Sequence, residues 1–479
     1  MTTSYDKVAY PAGIFPQTQH ARLAVLGEIH GLSPARPATA RVMEVGCGSG
    51  MNLIAMAAAW PDARFVGFDL ADSAIRIGKA MIAKAGLTNI ELFTGDICEV
   101  AKTVEPGGFD YVIAHGVYAW VPDFVREALL ALYGRALSPQ GMGFISYNAQ
   151  PGGHVRMIMR DRLLDLLEGV DEPEARFAMI RAALEAMAHG DDSDEPTEGT
   201  RLLHDALRAM AKSMLERPVE VLFHDELGEV FAPQRLRDVV DAAGRHGLRF
   251  LTDAGRNLNL HGFLPPDMDE CEDEEAALVR NLQLIDNDCL RFFRQSLFVR
   301  AECAPLRRMG DEAISRLAHM HVSGHMTRNE DGTFEHGPDT IGIGDPHLAA
   351  ALEQMSAAYP AALPVRELVS SYEAAGGLLR LFAEWHLELR HDPQPFATQV
   401  PEYPRASPLA LAGIALGDRQ ILALNHTIMS IAQPELRALI AACDGTRDLA
   451  TLRTYPHGIP PEAVDTALAT VLRLGLFCP

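Results

Sequence analysis

Three glycines, Gly46, Gly48 and Gly50, occupy alternate positions in ARVMEVGCGSGMNLIAMAAAW, after a short apolar run and before a helical pattern that opens at Asn52. A glycine turn between strand and helix lets backbone approach a ligand closely, and the helix N–H groups beyond it attract negative atoms such as a carboxylate. The dinucleotide fingerprint needs its third glycine one place later, where Met51 stands, so the spacing disfavours NAD. Two acids narrow the reading. Asp69 ends ARFVGFDL about twenty residues beyond the loop, the distance at which a carboxylate grips both ribose hydroxyls, with helix capping as its plainer alternative. Asp96 ends NIELFTGDI and is placed to accept from an adenine amino group. Glycine loop and acids together imply a site for S-adenosylmethionine (SAM), its methionine end at the loop.

Such residues must be held by strands. The runs at 40–45, 63–70 and 89–97, then FDYVIAHG leading to His115 and Gly116, then GMGFISYN, alternate with helical patterns at 52–60, 72–86 and 123–136. Five strands alternating with helices predict a parallel, doubly wound α/β sheet of Rossmann-like type, whose ligand lies outside the carboxyl ends of the strands. A class I methyltransferase sheet ends in two further strands, expected at HGLRFL and FFRQSLFVRAE after a helical insertion of about 154–230.

Composition excludes other classes. Hydrophobic content of 48% with 22% charged residues is globular. Lys+Arg 42 against Asp+Glu 64 leaves a net charge of −22, which repels a phosphate backbone, so no nucleic-acid partner is expected. Residues 331–479 carry nine Arg and no Lys against seventeen acids. Seven cysteines without a CxxC pair indicate neither disulfides nor a zinc site. No signal-peptide pattern opens MTTSYDKVAYPAGIFPQ and no run approaches the roughly 20 apolar residues of a membrane span, so a cytoplasmic location without membrane insertion is expected.

The strings YPAGIFPQTQHARLAVLGEIHGL, MEVGCGSGMNLIAMA, FDYVIAHGVYAWVP, SYNAQPG, VLFHDELGEVFAPQRLRDVVDAAGRHGLRFL and RFFRQSLFVRAE resemble those of bacterial class I methyltransferases with a methyltransferase regulatory domain. That group includes lysine methyltransferases of outer-membrane proteins. The resemblance implies that Glu44, Gly46, Cys47, Gly48, Gly50, Asn52, Asp69, Leu70, Asp96, Ile97, His115 and Gly116 contact or shape the SAM site, with Tyr5 and Tyr10 folding over it as a lid. It also implies an acceptor edge of Tyr118, Trp120, Tyr147 and Asn148, for which simple packing is the alternative. Gln19-His20, Ala119 and Gly153 depart from the family pattern, near the acceptor side.

The expected organisation is a methyltransferase domain over 1–305, with the regulatory segment at about 217–303, a β-hairpin linker region at 306–345 and a winged-helix-like region at 346–479. His224 in VLFHDELGEV falls where the chain leaves the insertion, and an imidazole there is suited to relay the proton of an attacking amine, with Asp225 or Glu226 orienting it. His319, His321 and His325 are close in sequence, but lack an acidic or cysteine ligand at recognisable spacing, so no metal is expected; His319 and His321 are assigned to one face of a strand. The expected function is methyl transfer from SAM to a protein lysine. A small-molecule acceptor and a SAM-binding regulator without turnover are the alternatives. The acidic C-terminal region points to protein contact or homodimerisation rather than DNA.

Overall fold

A computed structural model describes residues 10–170, 172–190, 198–256, 260, 262–266, 268, 272–418 and 420–479. The glycine-loop half alternates strand and helix throughout. Helix α1 (His20–Ile29) precedes β1 (Arg41–Val45), and α2 (Met51–Ala59) follows the loop. Next come β2 (Arg64–Asp69), α3 (Asp72–Ala85), β3 (Ile90–Thr94), α4 (Ile97–Thr103) and β4 (Phe109–Ala114). Helix α5 (Asp123–Ala136) leads into β5 (Leu137–Asn148). Local chemistry sets these boundaries: Asp72 in the first turn and Lys84 in the last complement the α3 dipole, and Gly86 ends it with a left-handed residue.

Beyond β5 the chain makes an all-helical excursion, α6 (Gly152–Leu166), α7 (Pro173–His189), α8 (Glu198–Leu215) and α9 (Val219–Leu227), with its own small core of Met159, Leu163, Ile180, Leu184, Ala211 and Met214. It then returns through α10 (Leu236–Arg245), β6 (Leu248–Asp253), α11 (Glu274–Asp288) and β7 (Phe293–Arg300). Among the described residues the main sheet has seven strands in the order β3-β2-β1-β4-β5-β7-β6. Strands β1 to β5 are mutually parallel, while β7 inserts antiparallel between β5 and β6. Both faces are buried, which the alternation of side chains shows directly. Val42, Tyr111, Ile113 and Phe144 enter one core with α1 and α2, whereas Met43, Val45, Val112, Ala114 and Ile145 enter the other with α5, α10 and α11.

The stretch 306–345, expected as a hairpin linker, is built differently. It contains α12 (Asp311–Leu317) and β8 (His321–Ser323) before the hairpin arms β9 (Thr327–Arg328) and β10 (Phe334–His336), with β11 (Asp339–Ile341) beyond. His319 therefore lies in the turn after α12 and shares no strand face with His321. Following α13 (Pro346–Ala358), strand β12 (Leu363–Pro364) pairs with β8, as does β13 (Glu388–Arg390) after α14 (Tyr372–Ala383). Backbone pairing thus crosses position 345. One apolar core runs from Val42 and Phe144 through Leu317 and Val322 to Phe382 and Leu389.

The last segment comprises α15 (Pro408–Leu416), the hairpin β14 (Gln420–Leu422) and β15 (Ile428–Ser430), and helices α16 (Pro434–Ala442), α17 (Leu449–Thr454) and α18 (Pro461–Arg473). They enclose a separate core around Ile421, Leu439, Ile440, Val464, Leu468 and Phe477. Among the described residues no helix is long and apolar enough to cross a membrane.

Candidate active site

Five parallel strands deliver their C-terminal residues to one edge of the sheet: Glu44 from β1, Asp69 from β2, Asp96 just past β3, His115 and Gly116 past β4, Tyr147 and Asn148 from β5. The glycine loop sits at their centre. Gly48 has φ 56°, and a Cβ placed on it would meet no protein atom within 4 Å, so its missing side chain leaves open space beside left-handed backbone. A helical glycine unmarked in the sequence completes the cradle. A Cβ on Gly78 of α3 would stand 2.2 Å from the Ser49 carbonyl oxygen, so only glycine lets that helix close on the loop.

Asp69 accepts from the Gly48 N–H through Oδ2 and from the Ala71 N–H through Oδ1, both at 2.8 Å. These bonds hold its carboxylate against the glycine loop, and Leu70 beside it is an apolar side chain 51% exposed. Asp96 accepts from the Cys98 N–H at 2.7 Å and caps α4, so one of its oxygens is used locally; Ile97 is the first residue of that helix. Gly46 donates to the Phe68 carbonyl, as does Cys47, whose thiol burial pushes well above its usual pKa. Gly50, at φ 71°, caps α2. Gly116 donates to Ser146 Oγ at 2.8 Å.

Glu44 is buried, with one oxygen accepting from Asn52 Nδ2 at 2.9 Å and Oε2 meeting no hydrogen-bond partner among the described residues. Burial, reinforced by the nearby Asp69 charge and opposed by the Asn52 bond, raises its pKa to about 7. Asn52 also donates to Thr18 Oγ1 at 3.0 Å, and its Oδ1 accepts from the Phe15 N–H and from His426 Nε2, each at 3.0 Å. Both donors and both lone pairs of the amide are therefore filled by protein, and Asn52 shapes the site without capacity to bind a ligand. His115 is a neutral wall: burial lowers its pKa to about 4, and Phe15 packs against it with its ring tilted by 47° at 4.1 Å between centroids. Neither Phe15 nor His426 is marked by the motif, Phe15 because a lone aromatic in a loop has no pattern.

Tyr5 lies outside the described residues, and Tyr10, expected with it as a lid over the SAM site, donates to Asp225 Oδ1 at 3.4 Å with its ring 5.7 Å from that of His224. His224 is buried in α9, the last helix of the excursion before the chain returns to α10. Arg156 of α6 holds the expected orienting acids: it bonds Glu226 through both oxygens at 2.6 and 3.2 Å and Asp225 at 3.3 Å. Its guanidinium, 5.3 Å from the centroids of Trp120 and Phe231, packs on that ring pair. Arg160 donates to the Asp225 and Gly228 carbonyls. Trp120 thus braces α6 against the loop after α9. Tyr118, whose hydroxyl burial pushes to about 12, packs 6.0 Å from Tyr147.

Tyr147 differs from expectation. It is fully buried, its hydroxyl lies 3.2 Å from Ser296 Oγ, and Ser296 in turn donates to Asp253, which pairs with buried Arg294 and, through it, Asp286. Its phenol belongs to a closed network inside the sheet and offers no hydroxyl to an acceptor. Asn148, one residue on, contributes its carbonyl to the Gln234 N–H.

Residues 42–141 match the family model for a methyltransferase domain, and residues 218–300 match a predicted methyltransferase regulatory domain. The chain carries a class I, SAM-dependent methyltransferase domain. An uncharacterized protein of Rickettsia prowazekii is 28% identical over 312 residues, 65% of this chain and 55% of that one. A second from the same organism is 29% identical over 52% of this chain and 96% of its own length. The first match thus spans about half the length of that relative. Among solved structures, PKMT2 from Rickettsia typhi shares the fold over 98% of this chain and all of its own, with a TM-score of 0.77 at 18% identity. The same protein in complex with AdoHcy gives 0.78 at 20% identity, over 98% and 99%. The regulatory segment contains α9, α10, β6, α11 and β7, so it supplies the last two strands of the sheet.

The site fits SAM on its own chemistry. Glu44 Oε2, buried and without a partner among the described residues, suits the ammonium group, the space at Gly48 suits the methionine end, Asp69 suits the ribose hydroxyls, and Leu70 offers an apolar face for adenine.

Proposed function

We propose that this chain N-methylates lysine side chains of a protein, with SAM as donor. The observation that carries the reading is the constellation of Tyr10, His224 and Asp225 on the acceptor side: two aromatic rings and a carboxylate, which suit a cationic alkylammonium. Of the two neighbouring guanidiniums, Arg156 is paired with Glu226 and with Asp225 itself and Arg160 bonds backbone carbonyls, so among the described residues neither is left to hold an anionic small acceptor. That weighs against an acceptor like the one named in trans-aconitate 2-methyltransferase of Deinococcus radiodurans, 34% identical over 27% of this chain and 45% of its own.

When bound, SAM supplies a methyl group activated by a sulfonium. The protein then orients the acceptor and manages one proton, because lysine attacks only as a free amine. His224 is the residue assigned to accept that proton, with Tyr10 and Asp225 holding the amine beside it. The resemblance in the strings around SYNAQPG and VLFHDELGEV supports the same acceptor.

The test is incubation with methyl-labelled SAM and a host lysate, then hydrolysis of the protein fraction. Label in methyl-lysine supports the proposal. Label confined to small molecules would replace it with the small-molecule reading, and SAM binding without label transfer would leave a regulator.

A further inference from the structure

The turn between β14 and β15 reaches back 374 residues to the cofactor loop. Its tip, Ala423 to Thr427, is closed by backbone bonds from Ala423 to Thr427 and from His426 to Ala423, and is tied to α18's end by the Leu424 N–H on the Gly475 carbonyl. His426 adopts φ 61°, a conformation that side-chain-bearing residues rarely take, and is 2% exposed. Behind it α15 packs on α3 and on α2, the helix that follows the glycine loop.

Hydrogen-bond logic fixes what His426 does there. The Phe15 backbone N–H can only donate, so the Asn52 atom it meets is Oδ1, and that same atom lies 3.0 Å from His426 Nε2. Nε2 must therefore carry the proton, and His426 is a neutral donor. Burial, which lowers its pKa to about 3, keeps it neutral. Nδ1, left with its lone pair, meets no partner among the described residues. The Asn52 amide turned this way presents Nδ2 to Glu44 Oε1 and leaves Glu44 Oε2 without a partner among the described residues.

We propose that His426 is a positioning residue for the cofactor site: through Asn52 it fixes the orientation of Glu44, so that the C-terminal module completes the SAM pocket from outside the methyltransferase domain. The inference rests on the reading that the glycine loop binds SAM. It gives the last segment a defined part in activity. Affinity for SAM then depends on that module being seated, while the chemical step at the acceptor does not depend on it directly.

Three substitutions in the full-length protein separate this role from simple packing. His426→Gln keeps an N–H at the reach of Nε2. His426→Met has similar length and no donor. His426→Asn accepts the left-handed backbone most readily but is too short to reach Asn52. SAM affinity is read by calorimetry, KM and kcat with saturating acceptor, and the fold by thermal melting. The expected result is that His426→Gln binds SAM within about twofold of the parent, whereas Met and Asn each raise Kd and KM for SAM about tenfold with kcat at saturating SAM within about twofold. Equal affinity for Met and Gln, or parental affinity in the Asn variant, overturns the inference. Should one donorless variant not fold, the other decides against Gln. Absence of SAM binding by the parent would instead sink the cofactor reading on which all three rest.

Discussion

The buried carboxyl of Glu44 makes SAM affinity depend on pH in a calculable way. Its pKa stands at about 7 against an ordinary 4.5, chiefly because burial penalises the charged form. An ammonium group at Oε2 binds the ionised carboxylate, so binding must first remove the proton wherever the free protein holds it. By linkage, affinity should fall about tenfold for each pH unit below 7 and level off above it. Two buried histidines near the loop do not compete in the window from pH 5 to 7, since burial lowers the pKa of His115 to about 4 and of His426 to about 3 and both stay neutral throughout. Glu44→Gln keeps an acceptor for Asn52 but has nothing to ionise. It should bind SAM roughly 10- to 100-fold more weakly at pH 7, the loss of one charged hydrogen bond, and show no slope between pH 5 and 7. The same raised value acts on folding with the opposite sense. Between 4.5 and 7 the folded chain holds a proton that the unfolded chain has released, so this stabilising term is complete below 4.5 and lost as pH rises through 7. Glu44→Gln should therefore gain stability over the parent at pH 7.5 compared with pH 4.5. Calorimetry at half-unit steps, with thermal melts in the same buffers, measures both. A parent affinity that is flat across the window, or a slope surviving in Glu44→Gln, would refute the placement of a cation at Oε2.

Asp69→Ala should weaken SAM binding at least tenfold with the fold intact, because its carboxylate both receives the ligand hydroxyls and anchors the loop at Gly48; titration calorimetry checks it. Gly78→Ala, which drives a Cβ against the Ser49 carbonyl, should displace the loop and cost at least tenfold in SAM affinity in the same assay, and unchanged affinity would remove α3 from the cradle. His224→Ala should lower kcat with SAM affinity unchanged, seen by pairing steady-state kinetics with calorimetry, whereas a purely structural histidine would show as lost thermal stability alone. His20, His115 and His426, all with lowered pKa, stabilise the fold above 6.5 and lose that contribution as pH falls toward 4, so melting temperature should drop between pH 6.5 and 4; His115→Phe should make that fall shallower.

What could be read from sequence was chemistry with a short range. Glycine at alternate positions, an acid at the end of a β-rich run and a helix closed by Gly86 are each local consequences of sterics, and all appear where the pattern put them. The acceptor side was less legible because β5 is buried on both faces from Gly141 to Asn148. Alternation then says which residues share a face but not which face meets a ligand, so Tyr147 read as an edge residue although its hydroxyl belongs to the Arg294 network. His319 departs from its expected strand for a related reason: residues two apart share a face only if a strand contains both, and α12 ends too late for that, so the strand begins at His321.

Asn52 shows the deeper limit. Its position opening the helix after the glycine loop marks it as a cofactor residue, and the mark is correct in location and incomplete in role. Only an amide can donate twice and accept twice from one rigid group, and here the four bonds go to Glu44, Thr18, Phe15 and His426. Two of those partners precede the first strand and one lies near the end of the chain, so no window of sequence contains the set. Aspartate at 52 would lose both donors and set a second buried charge against Glu44, while leucine would strand the Phe15 N–H. The type of residue is thus dictated by a convergence of distant segments, and the glycine loop that looks self-contained in sequence is in the folded protein supported from both ends of the chain.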